Sequence, residues 1–352
     1  MDRLVRSCYK KKSGYTFAKK AGDIAREYGI DRIARLASNE NPEAPSPAVL
    51  NAAEEALCTV NRYPDERVNV LTNALRAHYG DYQFVTGVGM DGIIETIIRT
   101  LVEPGERVAV STPTFSFYAL AAMGQGAEVI SVPRQADFSV DPKQLIRAAK
   151  DAKITVLCSP NNPSGNATGT AIVREILEGI DGILFLDNAY VEFSTTDYLP
   201  LMKKHENLIL GRTFSKVHSL AGLRIGYAFA PRWLLPWYNR AATPFAVNAV
   251  SMAAAAAALL DPAHAERYIA QVRRWRKRFI DEVKYPVLPS DANFVLVDVA
   301  PRRSDEMVEE LARQGVIVRS CRSFAGLEDH YIRVSVGEDW ENERFLQVIN
   351  AL

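Results

Sequence analysis

The sequence predicts an α/β protein in which helices cover a mainly parallel sheet and a smaller α+β unit follows. Between about residues 84 and 230, short and almost wholly apolar runs alternate with helical stretches, which is typical of buried parallel strands. After an alanine-rich stretch at 246–260, a different set of β-rich runs begins. We therefore expect a large domain over 40–245 and a small domain made of 1–39 and 246–352.

The predicted elements can be assigned in chain order. A helix is expected in TFAKKAGDIAREYG, packed with the small domain. The large domain should contain strands in QFVTGV, RVAVSTP, AEVISVP, ITVLCSP, GILFLDNAY, NLILGRTF and IGYAFAP. Helices should lie between some of these strands, in GIIETIIRTLV, FSFYALAAMGQ and DPKQLIRAAK. The small domain should contain strands in ANFVLVDV, GVIVRS and YIRVSVG.

Charge and composition argue against several classes of protein. The chain has 42 Lys+Arg and 42 Asp+Glu, so it lacks the basic excess of a nucleic-acid binder. The apolar stretch at 246–260 is shorter than the ~20 residues of a membrane-spanning helix, and its alanines predict a helix packed closely on a neighbour. The four cysteines are far apart, and the N-terminus lacks a signal-peptide core. We expect a cytoplasmic protein without a metal site.

Polar residues after predicted strands are candidate site residues, because ligands of open α/β sheets bind at the carboxyl ends of the strands. GVGMDG at 87–92 follows a strand and opens a helix, as a dinucleotide fingerprint does. The next strand, however, ends in Ser-Thr-Pro and not in an acidic residue that could bind a ribose. A phosphate of another kind at the helix start is a second interpretation, and a plain turn is a third.

Two further strand ends offer polar side chains. SPNNPSG at 159–165 forms a rigid turn, which is either purely structural or a ligand contact through an asparagine amide. The apolar run GILFL leads directly into Asp187, with Tyr190 three positions later. A carboxylate that ends a buried strand needs a cation or hydrogen-bond donors. Asp187 therefore either forms a structural salt bridge or faces a cationic ring nitrogen.

The stretch RTFSKVHSLAGLRIGY at 212–227 contains a lysine without charged neighbours. A surface lysine is the ordinary interpretation of Lys216, but its surroundings do not favour it. A poorly solvated lysine loses basicity, and its neutral amine can form an imine with an aldehyde. Arg224 offers a planar fork to a phosphate, and Thr213 and Ser215 offer hydroxyl groups to the same oxygens.

Together these features match one cofactor. A molecule with an aldehyde, a phosphate and a pyridine nitrogen requires a lysine, a phosphate site and a carboxylate, and pyridoxal 5′-phosphate (PLP) has all three groups. On this interpretation Lys216 binds the aldehyde carbon, Asp187 faces the ring nitrogen, and Arg224 with the nearby hydroxyls holds the phosphate.

The motifs of the chain, in their order, resemble those of the fold type I PLP-dependent enzymes. Within that group they resemble the histidinol-phosphate aminotransferase family of the class I and II aminotransferases, over most of the chain. The motifs are LASNENPEAPSP, RYPD, GVGMDGI, TPTFSFY, SPNNPSG, LDNAY, RTFSK, AGLRIGY and YIRVSVG. The resemblance implies the PLP fold type I architecture.

The resemblance also implies roles for matching residues. Lys216, Asp187 and Tyr190 would be catalytic, with Lys216 moving a proton from the substrate Cα. Asn162 and Tyr190 would bond the 3-oxygen of the ring, and Phe115 would stack on it. The residues implied in cofactor binding are Gly89, Met90, Asp91, Phe115, Asn162, Asp187, Tyr190, Thr213, Ser215, Lys216 and Arg224, together with Tyr63 from the partner subunit of a homodimer.

Substrate binding is implied for another group of residues. Arg333 and Arg319 resemble the arginines that bind the carboxylate or phosphate of the substrate, and Asn162 and Tyr15 resemble further contacts. A surface salt bridge is the alternative for Arg319. The chain departs from the family pattern at four positions, three of them in stretches that bear on the cofactor phosphate or on substrate entry. These positions are Asn188, Met90, Glu43 and Ala44.

The implied reaction is a ping-pong transamination between glutamate/2-oxoglutarate and a phosphorylated or aromatic amino compound. Histidinol phosphate and imidazole-acetol phosphate are the expected pair. An aromatic or broad-specificity aminotransferase would keep every cofactor residue and differ only in its side-chain pocket. A threonine-phosphate decarboxylase shares the scaffold. A PLP-binding transcription regulator also shares it, but this chain lacks the length and basic excess for an added DNA-binding domain.

Overall fold

A computed structural model describes residues 2–10, 14 and 21–352 of the chain. The strands are β1 (Ala34–Arg35), β2 (Phe84–Val88), β3 (Arg107–Thr112), β4 (Glu128–Pro133), β5 (Ala152–Cys158), β6 (Ile183–Asp187), β7 (Leu208–Thr213), β8 (Ile225–Phe229), β9 (Phe294–Asp298), β10 (Val316–Ile317), β11 (Arg319–Ser320) and β12 (Tyr331–Ser335).

The α-helices of the described residues lie before, between and after these strands. They are α1 (Ser7–Lys10), α2 (Ala21–Tyr28), α3 (Pro47–Leu57), α4 (Asn69–Tyr79), α5 (Gly89–Leu101), α6 (Phe117–Gln125), α7 (Pro142–Ala148), α8 (Thr170–Gly179), α9 (Leu199–Met202), α10 (Leu235–Ala241), α11 (Ala249–Leu259), α12 (Pro262–Glu282), α13 (Ser304–Arg313) and α14 (Asp339–Ala351). In the part of the chain that the structure describes, no helix is long and apolar enough to cross a membrane.

The large sheet has seven strands in the order β2-β8-β7-β6-β5-β3-β4. All pairs are parallel except the two that involve β8. The central strands β5 to β8 are buried almost throughout, because helices cover both faces of the sheet. The predicted fold class is confirmed.

The small unit is built around the antiparallel sheet β11-β12-β9 and the short parallel pair β1-β10. GVIVRS was predicted as one strand, and this prediction is wrong. Its two halves, β10 and β11, join different sheets. β1 pairs with β10, so the N-terminal segment contributes to the small unit.

The alanine-rich helix α11 packs on α3 and α4, which belong to the large unit. Asn248 caps its first turn by accepting a hydrogen bond from the Ser251 N–H at 2.8 Å. Small side chains allow this close approach of helices. The predicted domain boundary at 245/246 stays a prediction and would assign α11 to the small domain. The packing of α11 on α3 and α4 favours a junction after residue 260 instead.

Candidate active site

A cavity of about 380 Å³ lies where the carboxyl ends of β5, β6 and β7 face the small unit, and we call it the cofactor cavity. Parallel pairing places Cys158, Asp187 and Gly211 next to one another at this edge of the sheet. Most of the residues predicted for the site line the cavity: Met90, Asp91, Phe115, Asn162, Asp187, Tyr190, Thr213, Ser215, Lys216, Arg224, Arg319 and Arg333.

Asp187 ends β6 with a carboxylate that is 3% exposed. The Tyr118 hydroxyl donates to its Oδ2 at 2.6 Å, and the Ala189 N–H donates to its Oδ1 at 2.9 Å. Burial raises the pKa of Asp187 to about 6, although both hydrogen bonds favour the anion. None of the ion pairs found among the described residues involves Asp187. The structure therefore presents a buried carboxylate that still needs a cationic partner.

Lys216 is half-buried and its Nζ donates to the carbonyl oxygen of Ser38 at 3.3 Å. The same Nζ lies 5.6 Å from the centre of the Tyr190 ring. Burial lowers the pKa of Lys216 to about 8, and the positive charge of Arg333 acts in the same direction. The amine is therefore partly neutral near neutral pH, as a nucleophile or base must be.

Arg224, Thr213 and Ser215 form a compact group at the start of α5. The Arg224 Nη2 donates to Asp91 Oδ2 at 3.0 Å, and the Thr213 hydroxyl donates to the Ser215 hydroxyl at 3.0 Å. Gly89 has a φ of +66°, and a Cβ there would lie 2.7 Å from Arg224 Nη2. The left-handed φ favours glycine, and a side chain there would displace the Arg224 guanidinium from the helix start. The arrangement combines a helix N-terminus, an arginine and two hydroxyls, which suits a phosphate.

The dinucleotide interpretation of 87–92 is not supported by the topology. The strand before this motif is β2, at the edge of the sheet and antiparallel to its neighbour β8. A dinucleotide site follows a parallel strand at the point where the strand order of the sheet reverses.

Arg319 and Arg333 are register partners on the adjacent strands β11 and β12. They are 7% and 6% exposed, and both line the cofactor cavity. Arg333 donates to Asn162 Oδ1 and to the Ala37 carbonyl oxygen, both at 2.6 Å. Arg319 donates to the Ser323 hydroxyl at 3.4 Å. Burial of Arg319 rules out the surface position that was the alternative for it.

Residues that sequence reasoning missed also line the cavity. Tyr118 lies one residue beyond Phe117 in the motif that contains Phe115, and its ring meets that of Phe115 edge-on at 5.5 Å. Asn39 donates from Nδ2 to the Tyr190 hydroxyl at 3.1 Å. Glu40 follows it on the cavity wall. Only the spacing of FSFY, which places two aromatic residues almost one helical turn apart, could have indicated Tyr118.

Two of the described residues that were predicted for the site, Tyr63 and Gly89, do not line the cavity. Tyr63 is 83% exposed and stacks on Phe245, with 4.7 Å between the ring centres. Tyr15 lies outside the described residues. Gly89 does not line the cavity itself, but its N–H donates to the Arg224 carbonyl oxygen at 3.0 Å.

The family model of aminotransferase class I and II matches residues 31–349. The chain belongs to this aminotransferase family. Histidinol-phosphate aminotransferase of Methanoculleus marisnigri is 62% identical over 352 residues, with both chains covered completely. The enzyme of that name from Methanocorpusculum labreanum is 56% identical, with 97% of each chain covered. The predicted family and the predicted class of enzyme, a PLP-dependent aminotransferase acting on an amino donor and a keto acceptor, are confirmed.

Solved structures of aminotransferases share the whole architecture. Histidinol-phosphate aminotransferase from Sinorhizobium meliloti, in complex with PLP, superposes with a TM-score of 0.88 at 26% identity. The alignment covers 99% of this chain and 97% of that chain.

The side chains of this aminotransferase fit PLP. One cavity is lined by the buried carboxylate of Asp187, which has no ion-pair partner among the described residues, and by the Lys216 amine, whose pKa is lowered. The group of Arg224, Thr213 and Ser215 beside Gly89, which suits a phosphate, lines the same cavity. When bound, PLP supplies an aldehyde that reacts with amines and a ring that withdraws electrons from the substrate.

Proposed function

We propose that this aminotransferase exchanges an amino group between glutamate/2-oxoglutarate and histidinol phosphate/imidazole-acetol phosphate. The observation that carries the proposal is the pair of adjacent, buried arginines, Arg319 and Arg333, on the small-unit wall of the cofactor cavity. Two guanidinium groups in one place suit a dianionic phosphate, and a carboxylate can use the same forks. The names of the close relatives support the same substrate.

In the proposed reaction, Lys216 accepts the proton that leaves the substrate Cα. Its lowered pKa of about 8 suits a base that works near neutral pH. Asp187 keeps the pyridine nitrogen of PLP protonated, because a buried anion is stabilised by a facing cation. Asn162 and Tyr190 bond the 3-oxygen of the ring, and Phe115 stacks on it. Arg224, Thr213, Ser215 and the start of α5 at Gly89, Met90 and Asp91 hold the phosphate.

The test is a comparison of amino donors with the PLP-loaded enzyme. Histidinol phosphate, histidinol and phenylalanine are each assayed with 2-oxoglutarate as acceptor. We expect kcat/KM to be at least about 100-fold higher for histidinol phosphate than for the other two, since hydrogen bonds to charged groups contribute about 1.5–3 kcal/mol each. Equal rates with phenylalanine would instead identify an aromatic or broad-specificity aminotransferase. Release of carbon dioxide from threonine phosphate would identify a decarboxylase.

We further propose that the enzyme is a cytoplasmic homodimer in which Tyr63 reaches the phosphate site of the partner subunit. Exposed apolar side chains support this proposal: Phe245, whose ring stacks on that of Tyr63, and Leu50, Leu57 and Val60 in the segment that precedes Tyr63. Mixing the variants Lys216→Ala and Tyr63→Ala tests it, because a mixed dimer would regain one complete site. Activity above the sum of the two separate variants is expected. A mixture without added activity, or a monomer in sedimentation, would contradict the shared site.

A further inference from the structure

Three carboxylates line the cofactor cavity among the described residues: Glu40, Asp91 and Asp187. Two of them already have partners in the proposed function. Asp91 accepts a hydrogen bond from Arg224 at the phosphate cradle, and Asp187 is buried behind the ring site. The proposed function assigns Glu40 no part in holding the cofactor, so its position on the wall requires a separate explanation.

The backbone around Glu40 is fixed on both sides. Asn39 has a φ of 55°, its N–H donates to the Ser335 hydroxyl at 2.9 Å, and Asn293 donates to its carbonyl oxygen at 3.0 Å. Asn41 donates from Nδ2 to the Val217 carbonyl oxygen at 3.0 Å, next to Lys216. A left-handed residue that is held this firmly is typical of a functional segment. Glu40 is therefore held on the cavity wall between two fixed neighbours.

The side chain of Glu40 is only weakly engaged within the chain. Its ion pair among the described residues is with Arg35, whose Nη2 lies 3.7 Å from Glu40 Oε2. The Glu40 side chain is 42% exposed and that of Arg35 is 65% exposed. The ion pair therefore contributes little to the stability of the fold and can break at a small cost in free energy. The carboxylate can therefore exchange this partner for a ligand.

Glu40 also stands where two cavities meet. A second cavity of about 430 Å³ shares Glu40, Ser215, Ala221 and Gly222 with the cofactor cavity. Arg319 and Arg333 line the cofactor cavity but not the second one. A substrate whose anionic end binds the two arginines can extend its other end toward Glu40 and the space beyond.

We propose that Glu40 is a specificity-determining residue that accepts a hydrogen bond from the imidazole N–H of the substrate. This inference rests on the proposed function. A carboxylate accepts this bond from neutral imidazole and attracts the imidazolium ion more strongly. A phenyl ring offers no donor, and the second carboxylate of glutamate is repelled. In this proposal, Arg319 and Arg333 bind the anionic end of the substrate, and Glu40 recognises its imidazole ring.

The experiment measures binding of two unreactive ligands to the PLP-loaded enzyme by calorimetry. The ligands are 3-(imidazol-4-yl)propyl phosphate and 3-phenylpropyl phosphate, which have the same chain and phosphate but no amino group. We expect the wild type to prefer the imidazole ligand at least about tenfold, as a charge-assisted hydrogen bond allows. Glu40→Ala should bind the two ligands with equal affinity. In Glu40→Gln, which keeps the side-chain size, the ratio of the two affinities should fall at least about threefold.

Glu43→Ala is the matched control, because Glu43 lies on the same segment, has its Oε2 3.7 Å from His264 Nδ1 and lines neither cavity. This control should keep the ring preference. In turnover assays, Glu40→Ala should raise KM for histidinol phosphate and leave KM for glutamate equal or lower.

Two results would overturn the inference and leave the proposed function standing. One is wild-type binding of both ligands with equal affinity while histidinol phosphate is still transaminated. The other is a Glu40→Ala variant that keeps the preference, or a Glu43→Ala variant that loses it equally. A wild type that binds neither ligand and does not transaminate histidinol phosphate would overturn both proposals.

Discussion

The cofactor cavity has two walls that are constructed differently. On the large-sheet wall, Asp187, Asn162 and Thr213 follow or end parallel strands, so backbone register sets their positions. On the small-unit wall, Arg333 is oriented by side-chain hydrogen bonds to Asn162 and to the Ala37 carbonyl oxygen, and these partners are 171 and 296 residues away in sequence. The first wall should therefore control the chemistry, and the second should control which substrate is bound.

Substitution of the lysine on the large-sheet wall should have the greatest consequence. Lys216→Ala removes the group that we propose binds the cofactor aldehyde and accepts the substrate proton, so kcat should fall by more than about 1,000-fold. Steady-state assays and the visible absorbance band of bound PLP measure the effect. Lys204→Ala, at an exposed lysine, is the control and should behave as wild type. A Lys216→Ala variant with a tenth of the normal activity would contradict the assignment.

Asp187 should make the stability of the cofactor-free protein depend on pH. Its pKa is raised to about 6 in the folded state from 3.8 in the unfolded state. The folded protein therefore binds the proton more tightly, and the stabilisation present below pH 4 is lost as the pH rises through 6. Relative to Asp187→Asn, the wild type should lose about 3 kcal/mol of unfolding free energy across this range.

Urea unfolding of the two cofactor-free proteins at several pH values measures this difference. Other titrating groups cancel in the comparison of wild type with Asp187→Asn. Added PLP should restore more stability to the wild type than to the variant, because its cationic nitrogen pairs with Asp187. A stability difference that does not change with pH would show that the carboxylate is not buried as described.

A substitution on the small-unit wall should change substrate binding and leave the cofactor in place. Arg333→Gln should raise KM for histidinol phosphate and for glutamate by about 30-fold, since it removes a buried cation from an anion site. Arg333→Lys should recover only part of this loss, because lysine lacks the planar fork. Both variants should still bind PLP, as the visible absorbance band of the bound cofactor measures. A variant that loses PLP but binds substrate normally would reverse the roles of the two walls.

The smallest effect is expected for Tyr118, whose proposed role is to position Asp187 through the hydrogen bond between its hydroxyl and Oδ2. Burial raises the pKa of the Tyr118 phenol, so it remains a hydrogen-bond donor at every relevant pH. Tyr118→Phe removes this donor, raises the pKa of Asp187 further and should weaken PLP affinity and kcat about tenfold. The pH profile of PLP binding should shift upward. Tyr82→Phe is the control, and an unshifted profile in Tyr118→Phe would assign Tyr118 a purely structural role.

The difference between the two walls of the cofactor cavity also explains which site residues could be predicted from the sequence. Asn162, Asp187 and Lys216 each stand in a short motif beside a recognisable strand, so local pattern was sufficient to propose them. Tyr118 was missed because its partner lies 69 residues away, and Glu40 because its neighbours are fixed by contacts with β12 and the loop around Val217. Local pattern does not report such contacts.

Two features of the fold could not be predicted from local sequence pattern either. GVIVRS has the composition of one strand, but its first half pairs with β1 and its second half pairs with β12, so the two halves belong to different sheets. Helix α11 is nearly uniformly apolar, so its sequence does not indicate which unit it contacts. In both cases the partner decides the structure, and the partner is distant in sequence.

Covalent trapping of the cofactor tests whether Lys216 and Asp187 together form the PLP site. The PLP-loaded enzyme is reduced with borohydride and digested, and the peptides are analysed by mass spectrometry. We predict a single phosphopyridoxyl group, on Lys216, with reduced labelling in Asp187→Asn. A phosphopyridoxyl group on another lysine, or no label at all in the loaded enzyme, would contradict the proposed site.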